Sequence, residues 1–229
     1  MTSLPEHVTS LAPDEPFTFS CHPEVTCFNE CCRNLELSLS PYDVLRLKDA
    51  LGIPSQQFLD DYAIIEFTSE DLFPKVYLGM VDDGRGSCPF VEENGCRVYR
   101  DRPGACRTYP LGRGAYRTVD DSLHELFVLL QEPHCQGFSH GRCFTVPTWQ
   151  EDQGLEEYNI HNDLLLTIYN AVYFKDKNRL NQSQSELFTM ALYNIDTLKK
   201  NHPGAFESSS NDNFLLLSSC VQWLENKLF

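Results

Sequence analysis

Eight of the ten cysteines in this 229-residue chain have the types of neighbours and spacing that could do chemistry. Cys21, Cys27, Cys31 and Cys32 fall within twelve residues, Cys88, Cys96 and Cys106 follow after a long gap, and Cys135 completes the group. Soft thiolates select zinc, monovalent copper or iron–sulfur clusters over hard cations. A tetrahedral zinc or a cubane cluster takes about four thiolates. The eight are therefore the expected metal ligands, and they suggest two four-ligand centres; one centre with spare thiols is the alternative. In extended backbone, neighbouring side chains point to opposite sides, so the adjacent Cys31 and Cys32 can face two centres more easily than one. The intervening gaps of five, three, zero, seven and nine residues match the zinc habit at one place only. The common ferredoxin run is absent too. Spacing thus leaves both a 4Fe-4S cluster and zinc open as the cofactor.

Seven of the eleven arginines lie between Arg85 and Arg117, against three acidic residues there, in a chain whose net charge is −15. Arg33, Arg97 and Arg107 each directly follow a cysteine. Four thiolates around zinc leave a net negative site. Guanidinium groups stay charged and make directed hydrogen bonds, so these three are expected around the cofactor, offsetting charge and lowering thiol pKa. The rival readings of this segment are a solvated basic surface and a pocket for an anionic substrate. His22 and His134 each neighbour a cysteine, but enough sulfur is present without them, and His124 and His161 show no matching spacing. No glycine-rich phosphate loop, serine-nucleophile elbow or metalloprotease histidine pair is found. The residues name no catalytic group and leave open whether the chain is an enzyme.

The anionic balance disfavours nucleic acid and anionic membranes as partners and leaves an unidentified protein or redox partner. No stretch approaches the length of a membrane span. The first 32 residues hold no Lys or Arg and no apolar run of signal-peptide length. A cytoplasmic, bacterial protein is expected, where clustered thiols bind metal more often than they form disulfides. A disulfide framework is the rival, and it would require export.

The elements that must position the sulfurs are partly visible. Ser40, Pro41 and Asp43 start a helix. Val44, Leu45, Leu47 and Leu51 give it an apolar stripe, and Gly52 can close it. A second helix is expected over Ser55 to Tyr62. Val76, Leu78 and Met80 alternate as in a strand. Asp83-Gly84 and Asn94-Gly95 are turn dipeptides, so Val91 to Val98 reads as a hairpin carrying Cys96. Tyr116 to Val119 and Leu126 to Leu130 are further strand candidates. Leu164, Leu165, Ile168 and Val172 fit one later helical face, Leu187, Phe188, Ala191, Leu192 and Ile195 fit another, and Phe214 to Leu228 a third. The expected class is α+β: a small irregular cysteine-rich domain of short strands and helices, followed by a helical C-terminal region. The expected division is a flexible arm over 1–16, the metal-binding domain over 17–150, and helices over 151–229 packed on it.

Phe19 to Arg33 and the Leu39-Ser40-Pro41-Tyr42-Asp43 helix start resemble the YkgJ-like cysteine-cluster family, associated with zinc or iron chelation. The likeness continues through Cys88-Pro89-Phe90, Gly95-Cys96-Arg97-Val98-Tyr99, Arg102-Pro103, Cys106-Arg107-Thr108-Tyr109-Pro110 and Cys135-Gln136-Gly137. It covers about residues 17 to 170 and implies metal binding without an activity. Flagellin lysine N-methylases carry a similar cysteine pattern, where an iron–sulfur cluster is expected; a methylase does not follow from that. Cys143 and Cys220 fall outside the pattern, and the step from Cys21 to Cys27 is wider than many members show.

Overall fold

A computed structural model describes residues 4–139, 141–172, 179–206 and 212–229. Residues 1–3 of the expected arm, and 173–178 and 207–211 of the expected helical region, lie outside the described residues. The elements run β1 (Val8–Leu11), β2 (Phe17–Phe19), α1 (Pro41–Leu51), α2 (Ser55–Tyr62), β3 (Ala63–Glu66), β4 (Lys75–Leu78), β5 (Val91–Glu92), β6 (Gly95–Cys96) and α3 (Gly104–Thr108). Then follow β7 (Leu111–Arg117), β8 (Leu123–Leu130), β9 (Arg142–Phe144), α4 (Val146–Gln153), α5 (Glu156–Asp163), α6 (Leu166–Asn170), α7 (Gln182–Tyr193), α8 (Ile195–Asn201) and α9 (Asn213–Leu228). This is the mixed class of short strands and helices that the sequence implies. No helix among the described residues is long and apolar enough to cross a membrane.

The chain forms two compact units, each built from two separated stretches. Unit 1 comprises Met1–Leu35 and Met80–Glu157, and unit 2 comprises Glu36–Gly79 and Tyr158–Phe229. Unit 1 holds nine of the ten cysteines; Cys220 belongs to unit 2.

In unit 1, β7 and β8 form a long antiparallel hairpin, and β1 adds to the outer edge of β8. Val8–Leu11, within the expected arm, is thus a paired strand. Strand β7 starts at Leu111 and ends at Arg117, earlier at both ends than the Tyr116 to Val119 expected. Gly112 and Gly114 hide its alternation, and Gly112 is needed because a Cβ there would meet Val128 Cγ2 at 2.7 Å. Diagonal Arg113 and Glu125 pair at 2.6 Å across the hairpin. Strands β2 and β9 pair separately. Leu11, Phe17, Phe19, Leu111, Phe127, Leu129, Phe144, Val146, Trp149 and Leu155 pack into one core, with Tyr109, Cys135 and Phe138 against its side. Phe19 lies at its middle, edge-on to Tyr109, Phe138 and Trp149. Such aromatic edges favour ring contacts beyond simple burial.

In unit 2, α1 starts as expected. Ser40 Oγ accepts from the Asp43 N–H at 3.2 Å and Asp43 Oδ2 accepts from the Ser40 N–H at 2.8 Å. Gly52, at φ 67°, closes the helix in the left-handed region. Helix α2 has Pro54 as its N-cap, which supplies no side-chain hydrogen bond. Its first N–H goes instead to α8: Asp196 Oδ2 accepts from the Ser55 N–H at 2.8 Å, and Ser55 Oγ accepts from the Asp196 N–H at 3.1 Å. The two helix starts cap each other, satisfying groups that would otherwise be orphaned. Lys48 Nζ lies 3.4 Å from the same carboxylate.

Burial alone would raise the Asp196 carboxyl, but the Ser55 N–H and the Lys48 charge outweigh it and hold the group below the usual carboxylate range. A depressed folded value stabilises the fold fully above the unfolded value of about 3.9 and loses that contribution as pH falls through the folded value. Unit 2 is therefore expected to weaken on acidification below about pH 4. Asp196→Asn should lower the urea midpoint at neutral pH and flatten this acid limb. The readout is Trp223 fluorescence in a Trp149→Phe background, since each unit carries one tryptophan.

Candidate metal centre

The first four cysteines sit on a run of turns. Val25 N–H bonds to His22 O, Glu30 N–H to Cys27 O and Cys32 N–H to Asn29 O. Glu30–Cys32 is a single 3-10 turn, with Asn29 before it at φ 69°. Cys31 and Cys32 are therefore not in extended backbone, and their side chains hydrogen-bond to each other. The alternation argument for the pair does not apply; a tight turn sets their directions.

Distant stretches meet this run at defined atoms. The Cys88 N–H donates to Cys32 O at 2.8 Å, and Arg33 bridges to Ser87. The Val91 N–H donates to Cys88 O at 3.1 Å, and Val91 pairs with Cys96 in the hairpin that Asn94-Gly95 turns. From the other side, the Ser20 N–H donates to Gly137 O at 2.9 Å. The Gln136 N–H reaches the Cys27 sulfur at 3.2 Å. The Phe90 N–H reaches the Cys88 sulfur at 3.5 Å. Cys106 sits on α3.

All ten cysteines are free thiols, which is what metal ligands require and what the disulfide reading does not. Burial first, then the negative charges of Cys31, Cys27 and Cys135, push Cys21 up to about 11. The hydrogen bond to Cys31 comes first for Cys32, followed by burial and by the charges of Cys31, Cys88 and Cys106; all raise it. That same bond lowers Cys31. Burial raises Cys88 and Cys96, and Arg97 opposes this at both. The sulfurs thus feel one another as like charges, and a bound cation relieves that repulsion.

Among the described residues, no three or more His, Cys, Asp or Glu side chains already stand close enough to hold an ion. The donor set nevertheless fits a thiophilic metal. Tyr109 Oη is buried, with the Cys135 sulfur beside it. Burial, then the Cys135 thiol beside it, raise this phenol. A hydroxyl so placed is a ready donor to a metal-bound thiolate.

Arg33 donates Nη1–H to Ser87 Oγ at 2.9 Å and pairs with Glu30 at 3.4 Å, beside the Cys32–Cys88 contact. Arg97 lies 5.2 Å over the Phe90 ring. Arg107 donates to Gln153 O and Arg100 O, both at 2.6 Å, so it clamps the end of α4. Sequence reasoning assigned no role to Arg102. It is 8% exposed, donates to Tyr99 O at 2.7 Å, and its charge lowers both Cys21 and Cys96. It follows no cysteine, so the signal used for the other three passes it by. His22 and His134 pair with Glu24 and Glu132 at 3.9 and 3.5 Å. Cys143 is exposed on β9, and burial pushes Cys220, in the α9 core, up to about 12. A cavity of about 530 Å³ opens beside the cysteines, lined by Phe28, Arg33, Asp83, Ser87, Cys88 and Glu92 among others.

Free thiols on separate stretches, joined by backbone contacts, are the donors a cysteine-cluster metal-binding protein uses. The chain belongs to the CxxCxxCC family, described as "Putative zinc- or iron-chelating domain", whose model matches residues 20–137, more than half of its length. That span holds all eight expected ligands and excludes Cys143 and Cys220. Its name spaces the first cysteines two residues apart, where this chain has five and three. No curated protein and no solved structure matches the chain.

Proposed function

We propose that unit 1 holds iron–sulfur centres through Cys21, Cys27, Cys31, Cys32, Cys88, Cys96, Cys106 and Cys135, and that the protein carries electrons to a protein partner. The observation that carries this reading is the pair of backbone N–H groups given to cysteine sulfurs, Gln136 to Cys27 and Phe90 to Cys88. N–H···S bonds stabilise thiolates and tune the reduction potential of a cluster. Arg97 and Arg102 add positive charge close to the sulfurs. Cys21, Cys31 and Cys106 are exposed, which gives electrons a short route to a docked partner. A cluster bound here would supply one-electron chemistry; the chain's own groups hold its sulfurs, screen their charge and exclude water from the Cys135 side.

Anaerobically purified protein should be brown, with iron and acid-labile sulfide in equal amounts and broad visible absorption that bleaches on oxidation. Colourless protein with stoichiometric zinc and no sulfide would replace this reading with a structural zinc one. The cavity that touches Cys88 favours a second reading, a cluster-dependent protein-modifying enzyme such as a methylase. S-adenosylmethionine retained by the native protein in a mass-spectrometric screen would support that reading, and its absence would count against it.

A further inference from the structure

Resting on the metal-binding reading above, we infer that the eight thiols divide into two four-sulfur sites side by side: Cys21, Cys27 and Cys135 belong to one, Cys32, Cys88 and Cys96 belong to the other, and Cys31 and Cys106 complete the pair, one in each.

Backbone contacts set most of the division. The Ser20–Gly137 hydrogen bond lays the Cys21 stretch along the Cys135 stretch, and the Gln136 N–H meets the Cys27 sulfur 109 residues away. These join three members of the first set. The Cys88 N–H bonds to the Cys32 carbonyl, and Val91, bonded to Cys88 O, pairs with Cys96. These join three members of the second. Cys31 and Cys106 supply the remaining two sulfurs, one to each site. Sulfur number agrees, since four thiolates complete one zinc or one cubane.

The joint between the sets is the run of turns ending at Cys32, which carries Cys27 of the first set and Cys32 of the second.

The test counts metal in single and double Cys→Ala variants of the full chain, purified anaerobically. Each single variant of the eight should keep half of the wild-type metal. The double variants Cys21→Ala/Cys135→Ala and Cys32→Ala/Cys88→Ala, each within one set, should also keep half. Cys21→Ala/Cys88→Ala, across the sets, should keep none. Cys143→Ala serves as the unchanged control. A within-set pair that loses all metal, a cross-set pair that keeps half, or a single variant that loses everything overturns the division. Where variants lose their helical circular dichroism, stepwise chelation of the wild-type protein decides, followed by native mass spectrometry. A populated species with half of the metal supports two sites, and a single all-or-none step overturns them. Wild-type protein with no metal at all would sink the metal-binding reading itself, which is a different result from any of these.

Discussion

Stripping the metal from anaerobic protein with a strong chelator should unfold the cysteine-bearing stretches of unit 1 and leave unit 2 folded. Not one residue from Cys21 to Leu35 is fully buried, so this segment has little hydrophobic burial of its own. Its contacts are turn hydrogen bonds, the sulfurs and a few polar links to residues 86–92, such as Cys88 N–H to Cys32 O and Arg33 to Ser87. Unit 2 is held differently: Leu47, Phe58, Val76, Ile168, Phe188, Ala191, Leu192, Leu198 and Leu224 are each at most 1% exposed. Structural zinc contributes about 10–16 kcal/mol to the folding of small domains that depend on it. Losing even about 4 kcal/mol of this locally is a thousandfold loss of amide protection, at about 1.4 kcal/mol per factor of ten. Hydrogen exchange should therefore accelerate about a thousandfold across residues 21–35, with no change in α7 or α9. In a Trp223→Phe variant, the remaining Trp149 reports the same event by fluorescence. Equal loss of protection in both units, or none in either, would contradict a metal-held segment beside a core-held one.

Much of what holds unit 2 could be read from local residues. Ser40, Pro41, Asp43 and Gly52 act within one helix, and their capping geometry needs no distant partner. The Asn94-Gly95 hairpin is local for the same reason. What stayed hidden depends on contacts far along the chain. Tyr42 stacks on His161 at 3.8 Å, and Tyr193 Oη–H donates to Leu39 O. Both contacts tie the 36–79 stretch to helices more than a hundred residues away, and periodicity cannot register them. Val8–Leu11 alternates too weakly to announce a strand, and becomes one because β8 offers it an edge. In the candidate site the sulfurs were legible as residue types, whereas Arg102 and the Cys31–Cys32 turn were not. The first works through Gln153, which only folding brings near, and the second depends on a left-handed Asn29.

Gly137→Ala should cost unit 1 about 1–3 kcal/mol, the range for overpacking a closed interior, and should remove half of the bound metal. A Cβ at this position would stand 2.6 Å from Phe19 Cε2 and 2.7 Å from Ser20 O. Phe19 is 4% exposed and wedged among Tyr109, Phe138 and Trp149, so its ring cannot step aside. The Ser20 oxygen is backbone, and the Ser20 N–H is bonded to Gly137 O. The only relief is to part the two stretches. That movement carries Cys21 away from Cys135, two residues from the substitution, and pulls the Gln136 N–H from the Cys27 sulfur. Cys88 and Cys96 lie on other stretches, and Cys32 is tied to Cys88 through its carbonyl, so the metal they hold should survive. Gly204→Ala, where nothing lies within 4 Å of the added carbon, is the control. Metal content and urea midpoint are measured together. A variant with both unchanged would show that these stretches can separate without cost, and would remove the packing basis for joining Cys21 to Cys135.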